Sequence, residues 1–145
     1  MADYEITETL SRLYQAEFRC PTARLDQAMP YIGWRDTVDE FALRDIAGED
    51  REHLAWLTDL LFEFGGAAPP ASFAMDSADT HYVRLDTLLP RLIKAEQELI
   101  GAYREAAARL SDAPDAARMV ARIAERHGRH LARFQELESR ATSQA

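Results

Sequence analysis

The apolar residues of this chain recur at intervals of three and four along almost its whole length, and this helical periodicity limits its fold more than any other feature. No stretch shows the strict alternation that is typical of a β-strand. Residues 65–79, rich in glycine, alanine and proline, are the long stretch that lacks the pattern. The sequence therefore predicts an all-α protein with four helices, at about residues 3–29, 36–64, 80–110 and 114–140. Pro21 is expected to bend or interrupt the first helix, and Gly65 and Gly66 are expected to end the second.

The lengths of the connections predict the topology. Short turns join the first helix to the second and the third to the fourth, whereas residues 65–79 are long enough to carry the chain from one end of a bundle to the other. A four-helix bundle with one long crossover, between helices two and three, fits this order. The chain has 145 residues, and a domain usually has roughly 100–200, so residues 1–145 are expected to form a single domain.

The charge balance argues against two classes of partner. The chain has 17 basic and 25 acidic residues, a formal net charge of −8, whereas nucleic acids and anionic membranes attract clustered Lys and Arg. No apolar run approaches the roughly 18 residues of a membrane span, and the acidic N-terminus lacks the apolar core of a secretory signal. The single cysteine, Cys20, cannot form an internal disulfide and fits a reduced, cytoplasmic setting.

Two pairs of segments show an internal repeat. RLYQAE, which ends at Glu17, matches RLIKAE, which ends at Glu96, at four of six positions. IAGEDREHLA, which contains His53, matches IAERHGRHLA, which contains His130, at five of ten positions. Both pairs occur in the same order, so helices one and two resemble helices three and four.

The repeated acidic and histidine residues lie in the middle of apolar helix faces, where unpaired polar groups cost several kcal/mol each. A single buried histidine or glutamate is usually a hydrogen-bonded core residue, but six of them, matched by a repeat, favour a divalent metal site. Residues three apart on a helix place two ligands on one face, about 5–6 Å apart. The candidate ligands are three carboxylates and three imidazoles: Glu17, Asp50, His53, Glu96, His127 and His130.

Together these features resemble the ferritin-like superfamily, which includes bacterioferritins, rubrerythrins and related di-metal carboxylate proteins. In that family, one Glu from each of two helices and a Glu-x-x-His motif from each of the other two project into the bundle core. The resemblance covers about residues 5–140 and aligns Glu17 and Glu96 with the single glutamates, and His53 and His130 with the two histidines. It implies a ferritin-like four-helix bundle with a divalent metal, most often iron, in its core.

Two positions depart from the family pattern. Asp50 replaces the glutamate of the second helix, with Glu49 beside it as an alternative ligand, and His127 replaces the glutamate of the fourth helix. Three carboxylates leave a formal positive charge with two divalent ions, and a neutral imidazole cannot bridge two ions as a carboxylate does. The departures favour a single ion, an unequal pair or a different metal, and mixed nitrogen and oxygen ligation suits iron, manganese or zinc. Tyr103, seven residues after Glu96, is expected to donate a hydrogen bond to a ligand or to be a core aromatic.

The resemblance implies an oxidoreductase with a non-haem di-iron-type site of the ferroxidase or oxidase kind, which acts with dioxygen on bound metal or on a small-molecule substrate. The alternative is a metal-binding or structural bundle that has lost di-iron activity. A third hypothesis is an interaction module that has lost the metal. A homodimer is expected, because two-fold dimers are the commonest soluble assembly.

Overall fold

The computed structural model describes residues 2–27, 29–32, 37–72 and 83–144. Over these ranges the chain contains no β-strand, and its regular structure is helical. The predicted all-α, four-helix architecture is therefore confirmed. The long helices are α1 (Ala2–Arg19), α2 (Thr37–Glu63), α3 (Leu85–Arg109) and α4 (Pro114–Gln144).

The first helix is shorter than predicted, because α1 ends at Arg19 and not near residue 29. Pro21 is the cause, since proline has no N–H to donate and disfavours the helical conformation in the residue before it. Cys20 accordingly has extended backbone angles, φ −63° and ψ 128°. A short 3-10 helix, Pro21–Arg24, follows and occupies the turn beside the bundle core.

The second helix has the expected end. It begins at Thr37, and residue 36, where the helix was predicted to begin, lies outside the described residues. Gly65 has a φ of 81°, the left-handed conformation that glycine adopts most easily. The amide of Gly66 donates to the carbonyl of Leu61 at 2.8 Å, as in the glycine-based motif that commonly ends helices.

The crossover between α2 and α3 is partly described. Residues 66–72 have no regular structure, and residues 73–79 of the predicted crossover lie outside the described ranges. The Gln15 side chain on α1 donates to the carbonyl of Pro70 at 3.1 Å. This hydrogen bond holds the start of the crossover against α1.

The third helix begins at Leu85, later than the predicted start near residue 80, which lies outside the described ranges. Arg84 precedes it with extended backbone angles, φ −68° and ψ 141°, and forms an isolated parallel bridge with Tyr31. The amide of Leu85 donates to the carbonyl of Tyr31 at 2.8 Å. Pro90 falls within the second turn of α3, and the helix continues through it.

The fourth helix begins at Pro114, as predicted, because a proline in the first turn removes an N–H that has no helical partner there. Ala113 closes the preceding turn by donating its amide to the carbonyl of Leu110 at 2.9 Å. α4 extends to Gln144, four residues beyond its predicted end at 140. None of the described helices is long and apolar enough to cross a membrane.

The apolar core consists of two clusters with a polar layer between them. One cluster includes Leu10 and Leu13 of α1, Leu57 of α2 and Val120 of α4. The other includes Phe134 of α4, together with leucines of α2 and α3. Along α2, α3 and α4 the candidate ligands lie between these clusters, whereas Glu17 of α1 lies between Leu13 and Cys20 of the first cluster. The fold thus places them in a layer that is shielded from water on both sides.

Candidate metal centre

All six candidate ligands lie in the bundle core, as their positions on apolar faces predict. Their exposed fractions are 0%, except for 4% at His130. α1 and α3 contribute one glutamate each, and α2 and α4 contribute pairs spaced by three residues. The ligand-type atoms of Glu17, Asp50, His53 and His127 lie within 4.8 Å of one another, as do those of Glu96, His127 and His130.

Glu17 has hydrogen-bond partners on both carboxylate oxygens. The hydroxyl of Tyr103 donates to Oε2 at 2.7 Å, so the tyrosine contacts a candidate ligand directly, one of the two roles expected of it. Nδ1 of His53 lies 2.8 Å from Oε1, and Nε2 of His127 lies 2.9 Å from Oε2. Three donors therefore hold one carboxylate in a fixed position in the core.

His127 connects the glutamates of α1 and α3. Its Nε2 contacts Glu17, and its Nδ1 lies 2.8 Å from Oε2 of Glu96. Because an ionised carboxylate only accepts hydrogen bonds, these contacts need an N–H on both ring nitrogens, which is the imidazolium form. Burial alone would lower the pKa of His127, but the two carboxylates raise it to about 11. In the metal-free protein His127 is thus a buried cation between two carboxylates.

Asp50, and not Glu49, lies among the other candidate ligands. The hydroxyl of Thr22, in the 3-10 helix, donates to its Oδ2. Its Oδ1 lies 3.5 Å from Nδ1 of His130 and 3.6 Å from Nδ1 of His53. Burial, with the negative charge of Glu17, raises the pKa of Asp50 well above its ordinary value. A proton or a metal ion is therefore needed to neutralise this carboxylate.

Glu49 lies at the edge of the cluster, where it contacts His130 from outside. Its Oε1 accepts hydrogen bonds from His130 Nε2 at 3.1 Å and from Arg126 Nε at 3.0 Å. Burial would raise the pKa of Glu49, but His130 and Arg126 keep it below its ordinary value. Arg126 also donates to Glu52 at 3.0 Å and lies 4.6 Å from the ring centre of Trp56.

Sequence reasoning missed Thr22 and Arg126 as contributors to this site. Thr22 belongs to a stretch that was predicted to be helical, so its position beside Asp50 depends on the proline turn. Arg126 aligns with Glu49 in the internal repeat, and that alignment is the one sequence signal that points to it.

Four buried atoms of the cluster have no hydrogen-bond partner among the described residues: Asp50 Oδ1, His53 Nε2, Glu96 Oε1 and His130 Nδ1. Leaving such atoms unpaired in a core costs about 1–3 kcal/mol each, and buried polar groups in proteins are almost always satisfied. All four are carboxylate oxygens or imidazole nitrogens, the donor types of non-haem iron, manganese and zinc sites. The residues present therefore fit a divalent cation.

Comparison with known proteins supports the fold. No protein-family model matches the sequence, and no curated protein matches it significantly. A crystal structure of a ferritin-like, diiron-carboxylate protein from Bacillus anthracis strain Ames matches with a TM-score of 0.79 and 14% sequence identity, covering 95% of this chain and 98% of that chain. The described helices, their order and this structural match show that the chain has the ferritin-like four-helix fold.

Proposed function

We propose that the protein binds a divalent metal ion, iron foremost, in the layer formed by Glu17, Asp50, His53, Glu96, His127 and His130. The observation that carries this proposal is the set of four buried ligand-type atoms without hydrogen-bond partners among the described residues. The similar Bacillus anthracis structure is described as a diiron-carboxylate protein, which supports iron over manganese or zinc.

The surrounding residues suit oxidase-type chemistry with dioxygen. Iron held by these residues with an open coordination position would supply electrons to dioxygen or peroxide. Tyr103 and Thr22 hold Glu17 and Asp50 in place by hydrogen bonds, so the carboxylates do not have to reorganise on binding. The two apolar clusters exclude water above and below the layer, which strengthens every electrostatic interaction inside it.

Metal analysis of the purified protein is the first test. We expect iron, manganese or zinc to copurify, and Fe²⁺ added to the metal-free protein to bind saturably. E96Q, which removes one buried charge, should weaken binding, whereas E98Q, at an exposed site on the same helix, should bind as the parent does. Equal binding by both variants, or no binding by the parent, would refute the site.

A non-catalytic metal-binding bundle is the second candidate function, and the position of His127 favours it. The imidazole stands where the family pattern has a bridging carboxylate, and its two nitrogens are occupied by Glu17 and Glu96. Oxygen consumption on addition of Fe²⁺ separates the two functions. Uptake of dioxygen in proportion to bound iron supports the oxidase, and binding without uptake supports the second function.

The protein is further proposed to be a cytoplasmic homodimer. The supports are the buried free thiol of Cys20 and exposed aromatic side chains such as Tyr4 and Phe62, whose exposed fractions are 69% and 65%. Light scattering on a sizing column should give twice the mass of 16.4 kDa. A single-chain mass would contradict the dimer.

A further inference from the structure

The two halves of the internal repeat give their histidines different neighbours. When IAGEDREHLA is aligned with IAERHGRHLA, His53 corresponds to His130 and Glu49 corresponds to Arg126. Glu49 accepts a hydrogen bond from Nε2 of His130 at 3.1 Å. Arg126 carries donors only, so it cannot do the same for His53, and Nε2 of His53 has no hydrogen-bond partner among the described residues.

The contact with Glu49 sets the orientation of His130. Because Nε2 contacts this carboxylate, Nδ1 is the ring nitrogen of His130 that faces the core. It lies 3.5 Å from Oδ1 of Asp50 and 3.8 Å from Oε1 of Glu96. All three atoms are buried and have no hydrogen-bond partner among the described residues. Acceptor atoms placed this close repel one another unless a proton or cation lies among them.

The half of the cluster around Glu17 is different, because this carboxylate needs no further partner. Both oxygens of Glu17 are hydrogen-bonded, by His53, His127 and Tyr103. The ring of His127 also contacts Oε2 of Glu96. The imidazole therefore already occupies the space between the two glutamates.

We infer that each chain holds one divalent cation, bound by Asp50, Glu96 and His130, and that Glu49 is the positioning residue that directs His130 towards it. This inference rests on the proposed metal-binding function. The ring of His127 contacts Glu17 through one nitrogen and Glu96 through the other, so a second ion between these glutamates would have to displace it. Three protein ligands also leave coordination positions open, as in catalytic metal sites.

The stoichiometry is measured by titrating Mn²⁺ into the metal-free protein by calorimetry, with electron paramagnetic resonance at saturation. We expect one Mn²⁺ per chain and the spectrum of an isolated ion. Two ions per chain with an exchange-coupled spectrum would overturn this inference and leave the proposed function standing. Absence of saturable binding of Mn²⁺ and Fe²⁺ would overturn the proposed function, and this inference with it.

Variants at Glu49 test its positioning role. E49A should weaken Mn²⁺ binding by roughly 10- to 100-fold, the usual effect of removing a partner of a ligating histidine. E49Q keeps an oxygen that accepts a hydrogen bond from His130, so it should weaken Mn²⁺ binding clearly less than E49A does. E52A is the matched control, because Glu52 contacts the same arginine but not His130, and it should bind as the parent does. If E49Q weakens Mn²⁺ binding as much as E49A does, or if E52A weakens it as much, the positioning role of Glu49 is refuted.

The repeat supplies a second matched pair that tests the asymmetry. H130Q removes a proposed ligand and should abolish saturable Mn²⁺ binding, whereas H53Q alters the hydrogen-bonded half and should weaken it far less. Far-ultraviolet circular dichroism and melting curves confirm that each variant is folded. If H130Q and H53Q weaken Mn²⁺ binding equally, the inference that the ion is bound by Asp50, Glu96 and His130 alone is overturned. If either variant fails to fold, the stoichiometry of the parent protein and the Glu49 series still decide the matter.

Discussion

Replacing His127 with glutamate tests whether this side chain acts as the internal cation of the layer. In the metal-free protein the imidazolium contacts Glu17 at 2.9 Å and Glu96 at 2.8 Å, and all three side chains are fully buried. H127E removes this cation and adds a fourth carboxylate. Removing one partner of a buried ion pair costs about 3–5 kcal/mol, because the remaining charges stay in the core without compensation.

The expected loss is large enough to measure by thermal unfolding. One kcal/mol shifts the melting temperature by roughly 2–4 °C in a domain slightly larger than this one, so metal-free H127E should melt roughly 6–20 °C below the parent. H127Q is the matched control, because its amide is neutral and still donates to one glutamate. Its melting temperature should fall less than that of H127E.

Metal should reduce the difference in stability between H127E and the parent. Four carboxylates balance two divalent ions, so H127E should bind close to two Mn²⁺ per chain. At a free metal concentration 100 times Kd, each occupied site adds about 2.7 kcal/mol. Mn²⁺ should therefore stabilise H127E about twice as much as it stabilises the parent. Calorimetry and melting curves with and without Mn²⁺ measure both effects. If metal-free H127E melts with the parent, or its stoichiometry does not rise, the reasoning about His127 is wrong.

Four other measurements follow from the same contacts. Burial would raise the pKa of Glu17 and lower that of His127, but their contact lowers the first from 4.5 to about 2 and raises the second from 6.5 to about 11. The stability of the metal-free protein against urea should thus be highest between about pH 4.5 and 6.5 and fall as pH drops towards 2 or rises towards 11; a profile unchanged by H127Q would contradict this. Y103F removes the donor to Glu17 and should cost about 1.5–3 kcal/mol in urea unfolding, while Y4F, at an exposed site, should change it by less than about 0.5 kcal/mol. Burial raises the pKa of the Cys20 thiol, so a thiol reagent at pH 8 should label it slowly in the folded protein and rapidly in urea, and rapid labelling without urea would show that it is accessible. A single domain over residues 1–145 should unfold in one transition, coincident by circular dichroism and tryptophan fluorescence, and two separated transitions would contradict it.

The spacing of apolar residues and the positions of glycine and proline predicted most of the architecture. The all-α class, the order of four helices and the glycine end of α2 follow from local rules, because apolar spacing and glycine act within a few residues. The first helix shows where these rules fall short. Apolar residues continue past Pro21, so the pattern predicted a helix to residue 29 that the proline bends or interrupts, whereas α1 ends at Arg19. The consequence, that Thr22 reaches Asp50, depends on the tertiary position of the turn.

For the candidate site, too, some features follow from the sequence and others from the tertiary structure. The sequence determined which six side chains enter the core, since each lies on an apolar helix face, and it paired the two halves through the repeat. Only the tertiary structure decided what these side chains do to one another. It placed Asp50 inside the layer and Glu49 outside it, and it placed His127 between two glutamates. Helical spacing determines the face a residue occupies, whereas hydrogen-bond partners and charge states depend on atoms brought within about 3 Å from other helices.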